Sequence, residues 1–166
     1  MYAPPAPEDS MRRRRLSSAS GRPLNFTVRP PLLDLYLAWS EAEIQNSLLQ
    51  PRLSLGGPVY WFLYRYFTLA SLERGDFSFL NLWDDTELNG YQLHRLKSEL
   101  QGALLDLSAR PISFPVLVGW SGQVPCAEVE EWETVSRSQV ECTVHALLEL
   151  INEAVRSGRT IFAVGD

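Results

Sequence analysis

The sequence predicts a small single α+β domain, with three or four helices packed on a short, mostly antiparallel sheet. Two stretches carry apolar residues at helical spacing: Leu93, Leu96, Leu100, Leu104 and Leu107, then Val140, Val144, Leu147, Leu148, Ile151 and Val155. Beside them lie strand-like runs. Ile112, Phe114, Val116, Val118 and Trp120 alternate with smaller or polar residues, and Ile161 to Val164 is wholly apolar. The composition, 45% hydrophobic and 11% aromatic over 166 residues, is that of one packed domain. A chain of this length buries roughly two thirds of its unfolded surface.

The elements follow in order. Residues 1–23 are rich in Pro, Ser and Arg and poor in large apolar groups, which predicts a disordered tail before a globular domain over 24–166. Met11 offers a second translation start. The run Arg12 to Ser18 resembles a basophilic kinase site or a nucleic-acid tether, though an unstructured leader is the commoner meaning of so short a basic run. Asn25 to Val28 reads as a short strand. Ser40 with Glu43 forms a capping box, Trp39 with Ile44 fits a hydrophobic staple, and Pro51 ends the helix they open. After Gly56-Gly57-Pro58, the aromatic run Val59 to Leu69 is ambiguous between strand and helix. Helix is favoured, because Pro58 suits a first turn, Val59, Leu63, Phe67 and Ala70 share a face, and Gly75 is a plausible stop.

Phe77 to Leu82 reads as a strand or an extended link, and Trp83 to Glu87 as a loop. Asn89 with Gln92 caps the first leucine helix, which Pro111 ends. Pro115 demands that the strand holding it, Ile112 to Trp120, lie at an edge or carry a bulge. Ser121-Gly122 predicts a turn, and Val129 to Val135 the returning strand with acids on its open face. Ser138 with Glu141 predicts the cap of a helix over 138–157, closed by Gly158. With the strand that follows, this helix should form the heart of the core.

Charge is unevenly placed. Residues 1–30 hold six arginines against Glu8 and Asp9, a net of +4, which leaves −9 on the remainder of a chain whose total is −5. An acidic body argues against nucleic-acid binding through the folded domain, which requires clustered Lys and Arg. It suits a basic protein partner, or solubility alone. Cys126 and Cys142 make neither a disulfide framework nor a CxxC site. The longest apolar run, Val59 to Leu72, is interrupted by Arg65 and is too short to span a bilayer. These features predict a cytoplasmic protein with no membrane contact.

No nucleophile elbow, phosphate loop or dinucleotide fingerprint is present, so the sequence names no catalytic residue, metal ligand or cofactor. His145 between Glu141 and Glu149 reads as a polar helix face, and His94 as a surface residue. Cys142 reads as a small buried thiol, and Arg65, if buried, needs a carboxylate partner. Two acidic-aromatic clusters remain as candidate partner-binding sites. One is Trp83, Asp84, Asp85 and Glu87, which serves either to favour helix entry through the helix dipole or to grip a basic partner. The other is Glu130, Glu131, Trp132 and Glu133, with Glu128 before it. These acids either guard a sheet edge or present Trp132 as an anchor. Gly165-Asp166 sets a carboxylate at the edge of the last strand without a partner to give it chemical work.

From Pro58 onward, three features together resemble the layout of small bacterial proteins that include immunity proteins of contact-dependent and polymorphic toxin systems. They are the block Val59-Tyr60-Trp61-Phe62-Leu63, the Trp83-Asp84-Asp85 turn with its leucine helix, and the second helix running into Ile161 to Asp166. The resemblance covers about two thirds of the chain and carries no site residue with it. The acidic body, the two Trp-acid clusters and the missing catalytic set predict a non-enzymatic binding or inhibitory protein, such as an immunity protein. A small enzyme using carboxylates in a cleft is the alternative.

Overall fold

The computed structural model describes residues 31–46, 49–71, 80–121 and 129–165. The predicted tail and second start, the strand at Asn25 to Val28, Gly75, Gly122, Cys126, Glu128 and Asp166 lie outside these residues, as does all of Phe77 to Leu82 before Leu80. The chain runs β1 (Leu32–Ala38), α1 (Glu41–Asn46), β2 (Leu53–Gly56), α2 (Gly57–Ser71), β3 (Thr86–Leu88) and α3 (Gly90–Ser108). Then come β4 (Ser113–Ser121), β5 (Val129–Ser136), α4 (Arg137–Ser157) and β6 (Thr160–Gly165). Among the described residues, four helices and two antiparallel sheets make the expected α+β domain.

The larger sheet has the order β2-β1-β6-β3, every neighbour antiparallel. Alternation along β1 sends Leu33, Leu35 and Leu37 to one face, where the register sets them beside Leu55, Ala163 and Ile161. These side chains join a single core with Leu63 and Phe67 of α2, Leu96 and Leu100 of α3, and Val144, Leu147 and Ile151 of α4. The final strand is thus central, and it and α4 lie within the core as expected. Neither β1 nor β2 was anticipated, although Leu33, Leu35 and Leu37 alternate with Asp34 and Tyr36.

The ambiguous aromatic run is helical. Gly57 begins α2 with Pro58 in its first turn, and Val59, Leu63, Phe67 and Ala70 are all buried. Arg65 sits on the exposed side and pairs with Asp106 at 3.2 Å, so its partner does not serve a buried charge. The Tyr66 hydroxyl donates to the same carboxylate at 2.9 Å, and Arg110 approaches it at 3.3 Å. Burial alone would raise the Asp106 carboxyl, but the Tyr66 hydroxyl and the two guanidinium groups together bring it below its ordinary value. Tyr66 in turn is pushed up to about 12, by burial first and by Asp106 second.

Helix ends show which local signals held. Gln92 accepts from the Asn89 N–H at 3.2 Å, as the predicted box requires. At α4 the cap lies two residues earlier than predicted: the Ser136 hydroxyl accepts from Gln139 N at 3.2 Å, and Glu141 pairs with Arg137 instead. Gly158 ends α4 with φ of 72°, a left-handed conformation that favours glycine. On α4 the buried face is Val140, Val144, Leu147, Leu150, Ile151 and Ala154, so Val155 is exposed rather than core-facing. At α1 the Glu43 carboxylate takes the Trp39 N–H at 2.8 Å, and Trp39 is exposed, so no staple buries it. Cys142 is exposed, which overturns its reading as a buried thiol. No helix of the described residues is long and apolar enough to cross a membrane.

Candidate functional site

The two acidic-aromatic clusters lie on different sheets. The first is organised by a turn between α2 and β3. The Asn81 amide donates to Asp84 at 2.7 Å, and the Asn81 oxygen accepts from Trp83 N at 3.3 Å, which fixes the turn. Asp85 then accepts from Gly165 N at 3.3 Å and ties the turn to the end of β6. A side chain at Gly165 would collide with the Leu82 carbonyl, so glycine permits this close approach. Trp83 is 60% exposed, with its ring 6.3 Å from Trp61.

Helix entry does not explain these acids. Helix α3 starts at Gly90 with no acid in its first turn, and β3 intervenes. Glu87 lies on that strand rather than in the predicted loop, paired in register with Phe162. Leu88 and Thr86 take the core side of β3, which leaves Glu87 on the opposite face of the sheet with Phe162 and Val164. There a cleft of about 320 Å³ opens between β3 and α1, lined by Glu41, Ile44, Gln45, Asp85, Thr86, Glu87 and the β6 segment Phe162 to Val164. Asp85 and Glu87 are therefore brought together. Trp83 and Asp84 stand outside that lining.

The second cluster lies on the β4–β5 hairpin, a separate two-stranded arm. Its base is packed: Phe114 meets Phe62 edge-on at 5.4 Å, Arg110 stacks 5.1 Å from the Phe114 ring, and Val116 and Val135 are buried. Beyond that base, Val129 to Thr134 is entirely exposed. The predicted position of Pro115 is met, since β4 has only one neighbour. A bulge between Leu117 and Gly119 also breaks the register.

The bulge changes the site. Without it, Val118 and Trp120 would follow Phe114 and Val116 to the packed face. The extra residue reverses the phase, so Trp120 pairs with Glu130 and takes the outward face with Leu117 and Trp132. Trp120 is 62% exposed and Trp132 55%. The Trp132 indole donates to Glu130 at 3.0 Å, while Glu131 and Glu133 flank it on the other face. Trp120 was missed from the sequence because only the bulge turns it outward. Ser121, expected in a turn, continues β4 and pairs with Val129.

A larger hollow of about 600 Å³ lies between α3 and α4, lined by His94, Lys97, Glu149, Asn152, Glu153, Val155 and Arg156. Part of its lining is already paired: Lys97 donates to Asn152 at 2.8 Å, and Glu153 pairs with Arg52 and Arg159. His145 is exposed on α4, as a polar face requires. Among the described residues no group of three His, Cys, Asp or Glu is placed to hold a metal ion.

No family model, curated protein or solved structure matches this chain. Function must therefore be argued from the two surfaces themselves.

Proposed function

We propose that the protein is a non-enzymatic binding protein of inhibitory, immunity type, which masks a basic surface of a protein partner. One observation carries this reading: the arm holds Trp120 and Trp132 exposed on one face beside Glu130, with Glu131 and Glu133 on the opposite face. Exposed tryptophans contribute nothing to the core, whereas indoles desolvated at an interface dominate binding energy. The surrounding carboxylates supply charge complementarity, which raises association rates and selects for a basic partner. The −9 balance outside residues 1–30 and the layout resemblance to immunity proteins point the same way.

The test is capture from native lysate at low salt, where charge pairing is strongest. The wild-type protein should retain one stoichiometric protein and inhibit it on reconstitution. The Trp120→Ala/Trp132→Ala variant should lose it, while Glu149→Gln, on the exposed face of α4, should not. Equal capture by the tryptophan variant, or no stoichiometric partner at all, would overturn the proposal. The enzymatic alternative is favoured by the cleft beside Asp85 and Glu87. Among the described residues Thr86 is the only hydroxyl in its lining, and it makes no hydrogen bond to a base there.

A further inference from the structure

The cleft on the outer face of the four-stranded sheet combines features that neither the core nor the arm requires. Its volume of about 320 Å³ falls at the small end of the range in which proteins hold organic ligands. Its floor is apolar, formed by Phe162 and Val164 with Ile44 beside them. Its walls are acidic on both sides: Glu41 comes from α1, and Asp85 and Glu87 come from the β3 side. Among the described residues, no Lys, Arg or His lines it.

These carboxylates are also nearly unused. None of the three takes part in an ion pair among the described residues. Glu41 accepts only the Gln45 amide, at 2.7 Å, and Asp85 engages one oxygen with Gly165 N. The Glu87 carboxylate has no hydrogen bond or ion pair among the described residues. Like charges facing one another across an apolar floor repel, so a cation entering the cleft relieves that repulsion and finds acceptors waiting.

The shape decides which cation. No three of these groups are placed to hold a metal ion, so a point charge would leave one wall unsatisfied. An elongated cation with an apolar stem fits both parts. Its methylenes lie along Phe162 and Val164, and its planar or ammonium head reaches the carboxylates.

We propose that this cleft is a binding site for an alkyl-guanidinium or alkyl-ammonium group. The site lies on a different sheet from Trp120 and Trp132, so it does not rest on the protein-binding reading of the arm. Two sources present this chemistry: a free small guanidine or amine, or an arginine or lysine side chain offered by another protein.

The experiment is a heteronuclear NMR titration at low salt with agmatine, with Nα-acetyl-arginine amide, and with uncharged N-butylurea as the control. Saturable shifts should appear at Phe162, Val164 and Glu87 for the two cations and not for butylurea. Glu41→Gln/Glu87→Gln should weaken binding about tenfold, since each exposed ion pair accounts for a few-fold at most. Neither residue holds the core, so the variant's melting temperature should be unchanged. Tighter agmatine binding identifies a free small cation as the ligand, and tighter binding of the capped arginine identifies a protein side chain. Absence of saturation by both cations, equal binding of butylurea, or undiminished binding by the double variant would overturn the site. Trp120→Ala/Trp132→Ala should leave the titration untouched, which separates this result from failure of the arm as a docking surface.

Discussion

Strands β1 and β5 are close in length, seven residues and eight, but they meet different surroundings. Strand β1 lies between β2 and β6 with helices over one face, and four of its residues are buried. Strand β5 has one neighbour, and six of its eight residues are exposed. In the first, each side chain is fixed by a register partner and a helix. In the second, only the base is anchored, so the sequence beyond it is released from packing. Charges at Glu130, Glu131 and Glu133 then prevent sheet-to-sheet pairing while leaving the tryptophans available. Burial, more than strand propensity, separates a strand that builds the fold from one that presents a surface.

The sharpest way to break this contrast is to remove a large ring from each region. Phe67, fully buried in the core shared with β1, should cost about 3–5 kcal/mol on change to Ala. Trp132→Ala should stay within about 0.5 kcal/mol, because Trp132 is more than half exposed and packs against no buried core residue among those described. Urea unfolding midpoints measure both, and similar costs would show that the arm is part of the core.

A single methyl group sharpens the point. At Gly165 it would strike the Leu82 backbone, and Gly165→Ala should cost about 1–3 kcal/mol. At Gly119 in the arm the nearest atom is a Glu131 carboxylate oxygen at 3.8 Å, so Gly119→Ala should change stability by less than about 0.5 kcal/mol. The same unfolding curves compare the two. At the junction of arm and body the contrast is smaller than at the two glycines: Ser136→Ala should cost about 1 kcal/mol as a lost cap and Ser138→Ala almost nothing.

The last prediction concerns acid. The folded pKa of Asp106 is depressed, so its contribution is full above the ordinary carboxylate value and is lost as the pH falls through the lower folded one. Asp106→Asn should therefore flatten the acid limb of a plot of stability against pH. An unchanged limb would show that its contacts with Tyr66, Arg65 and Arg110 do not couple to folding.

Much of the body was legible in the sequence because its signals are local. Leucine spacing in α3, the Asn89–Gln92 box, Gly158 and the apolar run of β6 all act within a few residues of themselves. Strand β1 carried a readable alternation that the Trp39–Ser40 helix signal overshadowed, and β3 is too short to register a period. The site was legible only as residue types. Asp85 and Glu87 could be named, but their placement opposite Glu41 over Phe162 depends on strands distant in sequence. Trp120 was hidden by a bulge, which shifts phase without leaving a mark in composition.

The position of β6 has a consequence for how the molecule comes into being. Leu33 pairs with Gly165, and Leu37 with Ile161, so the middle of the larger sheet joins segments separated by most of the chain. During synthesis α2 and α3 have each other to pack against early, while the row Leu33, Leu35 and Leu37 waits with one side bare until residue 165 has left the ribosome. Such distant pairing slows folding and lengthens the interval in which an apolar strand edge is open to the wrong neighbour.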